Sequence, residues 1–226
     1  KTNKYNSRTH EIMSLSFSKK KNILVALGWD SFGLFTLAVI QIVSSVVFVR
    51  LLGKEAYGVY IYIISFFLTV IAFATMGLKT VILKFMPKSE VEHSLDKSYF
   101  MLRNFVKFRM VIFLLFSIFI IPNTNTISFL LIGNRSLSLY LKLAFFLFVP
   151  LFFQDIFEGL LVTKFKQPFL NSSKVVINLL SFLLAVVLIN LKMSFWGVIV
   201  AIGIGNILYL ISLFLKSWRL FVMDAA

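Results

Sequence analysis

The 226-residue sequence contains no cysteine, nine acidic residues and two histidines. The first absence excludes disulfides, thiolate metal sites and cysteine nucleophiles. The histidines, His10 and His93, lie in polar segments with no neighbouring ligand motif, so no metal site is expected. Motifs of catalysis are missing as well. There is no GxSxG, no phosphate-cradling GxxxxGK, no HExxH and no loop with paired aspartates. No folded soluble domain fits between the apolar stretches, as an enzyme acting on a water-soluble substrate would usually need. The chain is therefore not expected to be an enzyme, and no cofactor is implied.

What is present is apolar. Hydrophobic residues make up 59% of the chain, aromatics 16% and charged residues 14%, with 27 phenylalanines. A soluble domain of this length would have an exterior as apolar as its core, so the solvent for most of the chain is lipid. Six stretches, 23–49, 57–78, 104–121, 139–163, 175–191 and 194–215, are long enough to cross a hydrocarbon core of ~30 Å as helices. Backbone groups in lipid must be satisfied internally, so all six are expected to be α-helical. The stretch 127–132 is too short to span and is expected at the interface. The fold class is all-α, a polytopic membrane lobe over residues 23–215. A basic leader, 1–22, precedes it and a tail, 216–226, follows, the whole reading as a fragment of something longer.

The net charge of +14 admits two explanations, nucleic-acid binding or the fixing of membrane topology. Position separates them. With the N-terminus inside, 18 of the 23 basic residues fall on the cytoplasmic side and 5 on the other. Such asymmetry is topogenic, so no nucleic-acid partner is expected, and both termini are placed in the cytoplasm. The segment 79–109 also falls on that side and suits a small amphipathic element.

Ionisable groups inside spans are costly and need a reason. Asp30 lies within the first span, and Asp155 and Glu158 lie near the end of the fourth. All three come out at similar depth in the inner leaflet. Gln154, Asp155 and Glu158 share one helical surface, and Asp30, Gln41 and Ser44 or Ser45 fall within a narrow arc. These stripes suit a water-filled cavity and a proton- or cation-responsive site. The competing explanation is that the acids reach the inner headgroups or pair with Lys164 and Lys166. Arg50 and Lys54 close the first span on the outer side. An arginine there suits bidentate phosphate binding, and anchoring at the interface is the other reading. Gly197, Gly203 and Gly205 permit close helix approach on the last span.

One segment carries family character. The run from Arg50 through Gly53, Lys54, Tyr57, Gly58 and Tyr60 resembles the R-x-L-G-x-x-x-Y-G-x-Y turn of polysaccharide flippases. These belong to the O-antigen type of the multidrug/oligosaccharidyl-lipid/polysaccharide exporter superfamily. Met76-Gly77-Leu78 with Lys84, the basic link 163–169 and Trp196-Gly197 are similar to further family features. The resemblance implies two six-helix lobes facing each other across a cavity, of which this chain is the first and the C-terminal half is missing. It further implies transfer of undecaprenyl-pyrophosphate-linked oligosaccharide across the cytoplasmic (inner) membrane of a bacterium or archaeon. The partners would then be the lipid-linked substrate and membrane lipid, with Arg50, Lys54 and Gln41 as substrate contacts. The alternatives are a cation-coupled drug exporter or peptidoglycan-precursor flippase of the same superfamily, and a polytopic sugar or acyl transferase. The family's lumen is basic, whereas the spans here offer more acid than base.

Overall fold

The computed structural model describes the backbone of residues 2–75, 77–91 and 95–224, and the side chains of residues 28, 30–75, 77–85, 100–130, 133–135 and 137–219. The leader's side chains, His10, His93 and Met76 lie outside the described residues. Helices α1 (Thr2–Thr75), α2 (Leu78–Val91), α3 (Leu95–Ile120), α4 (Thr124–Ile132), α5 (Ser138–Thr163), α6 (Gln167–Leu188) and α7 (Ser194–Asp224) follow in order. A single 3-10 turn, Arg135–Leu137, leads into α5, and a π-turn, Ile189–Met193, joins α6 to α7. No strand occurs among the described residues. The fold is all-α.

Among the described residues, three helical runs are long and apolar enough to cross a membrane: Asp30–Phe85, Ser138–Thr163 and Gln167–Arg219. A fourth arises if Phe100–Ile120 and Thr124–Leu130, bent by 73°, are taken together. Two of these runs are too long to be single crossings. At ~1.5 Å per residue, 56 residues would extend about 84 Å, against ~30 Å of hydrocarbon. Each doubles back instead.

The first reversal is at Gly53, whose φ of 77° and ψ of 168° belong to a region that side chains exclude. Across it, the rings of Phe48 and Tyr60 meet edge to face with centroids 6.0 Å apart. Twelve residues of straight helix would separate them by ~18 Å. The second reversal uses Lys192 (φ 66°) and Ser194 (φ 50°). Beyond it Gly205 lies directly against Ser181, with no room for a Cβ. Both runs are helical hairpins.

Helix α5 runs through the middle, with Leu141, Phe145, Phe148, Phe152, Ile156 and Leu160 buried along it. Aromatics dominate this core. Phe67 stacks on Phe148 at 5.2 Å and Phe113 on Phe145 at 5.6 Å. Such pairs add about 0.5–1.5 kcal/mol each beyond burial. Helix α7 closes on α5 through Gly203, where a Cβ would stand 2.7 Å from that of Leu147. The N-terminal arm of α1 lies at the periphery, with Phe32, Leu34 and Phe35 exposed, as lipid-facing residues are.

The helices depart from the expected spans in three ways. Helix α6 begins at Gln167, eight residues before 175, because Pro168 sits in its first turn where no N–H is needed. Within the segment 79–109, residues 79–91 belong to α2 and residues 95–109 to α3, so it carries two helical elements and not one small one. The tail from 216 continues α7 as helix to Asp224.

Candidate functional site

Helix α5 carries the sequence Gln154-Asp155-Ile156-Phe157-Glu158 in its C-terminal half, and its two acids organise the charged part of the protein. Glu158 is buried, yet its carboxylate meets three partners from three other helices. Lys79 Nζ lies 2.8 Å from Oε2, Lys174 Nζ lies 2.8 Å from Oε1, and the Tyr209 hydroxyl donates to Oε1 at 3.0 Å. Lys79 is placed by the turn at Gly77 (φ 72°), whose carbonyl accepts from the Thr80 N–H and starts α2. Lys174 stands two turns into α6, with its ammonium 5.6 Å from the Tyr209 ring centre. Glu158 therefore ties α2, α5, α6 and α7 together at one point.

Asp155, one turn before Glu158, faces Arg109 of α3. The guanidinium Nη2 lies 3.8 Å from Asp155 Oδ2, while Nη1 donates to the Ala74 carbonyl at 2.8 Å. That carbonyl belongs to the last turn of α1, where backbone acceptors lack intrahelical donors and favour a cation. The Arg109 side chain is 0% exposed and that of Asp155 29%, so the acid reaches solvent-accessible space and the base does not. Nε and Nη2 of Arg109 make no hydrogen bond.

Asp30 approaches the same region from α1. It accepts a hydrogen bond from Asn171 Nδ2 at 2.8 Å, and Asn171 lies one turn before Lys174 on α6. Asp155 and Glu158 are one turn apart on α5, and Asp30 contacts α6 one turn before Lys174, the partner of Glu158. Gln154 turns away from them, donating to the Asn206 carbonyl of α7 at 3.0 Å. Arg50, Lys54 and Gln41 are exposed, the first two flanking the Gly53 reversal. The structure does not bring these three together with the acids.

Three bases at the acids were missed by sequence reasoning. Arg109 was counted with the basic segment 79–109 at the start of the stretch 104–121, and its side chain is buried among helices. Lys79 and Lys174 were counted as loop charges. Their pairing with Glu158 spans 79 residues in one case and a helix–helix contact in the other, with no local signal for either. The expectation of more acid than base in the spans is corrected accordingly: Lys79, Lys174 and Arg109 face Asp155 and Glu158.

The chain matches the sequence model of the polysaccharide biosynthesis protein family over residues 26–223. It belongs to that family. No curated protein sequence and no solved structure matches it significantly. As a polysaccharide biosynthesis protein with crossing-length apolar helices, it is an integral membrane protein. Its clustered charges need a reason inside such a fold, since isolated ones are costly at the centre of a membrane helix.

Proposed function

We propose that this polysaccharide biosynthesis protein is a flippase lobe that moves undecaprenyl-pyrophosphate-linked oligosaccharide units across the cytoplasmic membrane, without making or breaking covalent bonds. The observation that carries the reading is the set of charges around Glu158 within the helices of a family member. A sugar headgroup crossing hydrocarbon loses water from its hydroxyls and phosphates, and needs replacement partners. Lys79 and Lys174 keep 40% and 38% of their side chains exposed while bound to Glu158, so each has donors left for an anionic headgroup. With a second lobe facing this one, rocking of the two about the site would expose it to either leaflet in turn. The basic asymmetry along the chain favours the N-terminus on the cytoplasmic face.

The test uses cells expressing the full-length protein, with and without Lys79→Met plus Lys174→Met. Spheroplasts are oxidised with membrane-impermeant periodate, and the oxidised lipid-linked sugar is measured. The parent is expected to expose the lipid-linked sugar outside, and the double variant at equal abundance to retain it inside. Equal outer exposure in cells lacking the protein would overturn the reading.

A further inference from the structure

The charged site faces one side of α5. Another side of the same helix, between α3 and α7, carries an open groove of about 280 Å³. Its walls include Val106 of α3, Phe153 and Phe157 of α5, and Ile211, Phe214 and Leu215 of α7. The Phe157 and Phe214 rings touch edge to face at 5.8 Å. The walls are wholly hydrocarbon in character and the groove is open, a surface that suits an acyl chain.

One end of the groove is different in chemistry. Helix α3 runs antiparallel to α5, with Arg109 beside Asp155 and Phe113 beside Phe145, whereas α7 runs parallel to it, with Asn206 beside Gln154 and Tyr209 beside Glu158. Residues before Val106 and after Leu215 therefore lie at the same end. One turn before Val106 stands Arg103, and one turn after Leu215 stand Trp218 and Arg219, all three exposed. The Trp218 ring packs on Phe214, a wall of the groove, at 6.1 Å. Lys216 is turned the other way, over the Phe169 ring of α6 at 5.3 Å. Neither arginine pairs with an acid among the described residues. A tryptophan beside a basic pair is what a headgroup boundary selects.

We propose that this groove is a binding site for one anionic phospholipid, whose acyl chain lies between α3 and α7 and whose phosphate meets Arg103 and Arg219. The hydrocarbon walls supply affinity without selectivity. The arginines supply the preference for negative charge, roughly five-fold per residue at a membrane surface. The site is separate from the Glu158 cluster and does not depend on what the chain transports.

Native mass spectrometry of the delipidated full-length protein tests it, with phosphatidylglycerol, phosphatidylcholine and undecaprenyl phosphate added separately. The parent is expected to retain phosphatidylglycerol over phosphatidylcholine by about ten-fold or more. Arg103→Ala with Arg219→Ala should bring that ratio close to one. Ile211→Trp, which fills the groove and leaves the arginines, should lower retention of phosphatidylglycerol several-fold. A ratio unchanged by loss of both arginines, or retention untouched by Ile211→Trp, would overturn the proposal. So would a parent that retains undecaprenyl phosphate and not phosphatidylglycerol, since the occupant would then be a substrate lipid.

Discussion

Lys174 and Glu158 meet at 2.8 Å across the contact between α6 and α5, and the same carboxylate holds Lys79 at 2.8 Å on its other oxygen. The two lysines are partly exposed and the acid is not, so the three residues do not contribute equally. Removing Glu158 leaves two ammonium groups and the Tyr209 hydroxyl without their acceptor, whereas removing one lysine leaves the carboxylate still paired. Breaking a buried pair costs about 3–5 kcal/mol, and the exposure of the lysines reduces this. Glu158→Gln is expected to cost about 2 kcal/mol and Lys79→Met or Lys174→Met under about 1 kcal/mol each. Thermal unfolding of the purified full-length protein measures this, and a lysine variant less stable than Glu158→Gln would contradict the shared-acceptor arrangement.

Gly53 is the residue that turns one 56-residue apolar run into two arms. Its φ of 77° with ψ of 168° is accessible to glycine alone, and holding alanine there costs about 1–3 kcal/mol. Gly58, five residues on, has ordinary helical geometry, and a Cβ there meets nothing within 4 Å. Gly53→Ala should therefore lower the melting temperature and the membrane yield, while Gly58→Ala leaves both unchanged or raised. Equal behaviour of the two variants would show that the reversal does not depend on Gly53.

These two sites mark how far the sequence could be read. The Gly53 reversal is local: a short break of Arg50, Gly53 and Lys54 between two apolar stretches announces a turn, and the apolar stretches announce helices. The acids were legible for the same reason, since a charge in an apolar stretch stands out against its neighbours. Their partners were not. Lys79 and Lys174 lie at the ends of apolar stretches, where basic residues also serve topology, and nothing local distinguishes a paired lysine from an anchoring one. Arg109 falls at the start of the stretch 104–121, where it counts with Arg103 and Lys107 as one more topogenic charge. Only the packing of α3 and the last turn of α1 against α5 shows that its side chain points inward.

The close approach of α7 to α5 is set by Gly203, where an added Cβ would stand 2.7 Å from Leu147 Cβ. Both helices are long and neither can shift without disturbing the Glu158 contacts one face away. Gly203→Ala is expected to destabilise by about 1–3 kcal/mol through overpacking. Leu147→Ala in the same chain should recover most of that loss, because it vacates the space the methyl needs. A double-mutant cycle measured by thermal unfolding checks this, and simple additivity of the two costs would rule out the proposed steric coupling.

Orientation can be read directly because the chain has no cysteine to remove. Phe165 is exposed in the link between α5 and α6, and Asn123 is exposed at the bend between α3 and α4. Cysteines placed at the two positions should react with an impermeant maleimide from opposite sides of the membrane, Phe165→Cys from the cytoplasm. Labelling of both from outside would overturn the crossing between them, and labelling of Phe165→Cys alone from outside would reverse the assignment of the basic face.

In the pair of Arg109 and Asp155 the base is the buried partner, and that asymmetry decides which loss is worse. The arginine side chain is 0% exposed and the aspartate 29%. In Arg109→Met the stranded acid can still draw on accessible space, and the carbonyl of Ala74 loses one donor, a loss of about 1–3 kcal/mol. In Asp155→Leu the guanidinium keeps the Ala74 carbonyl but remains buried with no counter-charge, and its Nε and Nη2 already lack hydrogen bonds. An uncompensated buried charge costs about 3–5 kcal/mol. Asp155→Leu should therefore be the more destabilising single change. Adding Arg109→Met to it should recover stability, because the double variant buries no charge at that point. The comparison needs only melting temperatures of the purified full-length proteins, together with their abundance in the membrane. If Arg109→Met is the worse single variant, then capping the last turn of α1 is its main contribution, and the pairing with Asp155 at 3.8 Å is secondary.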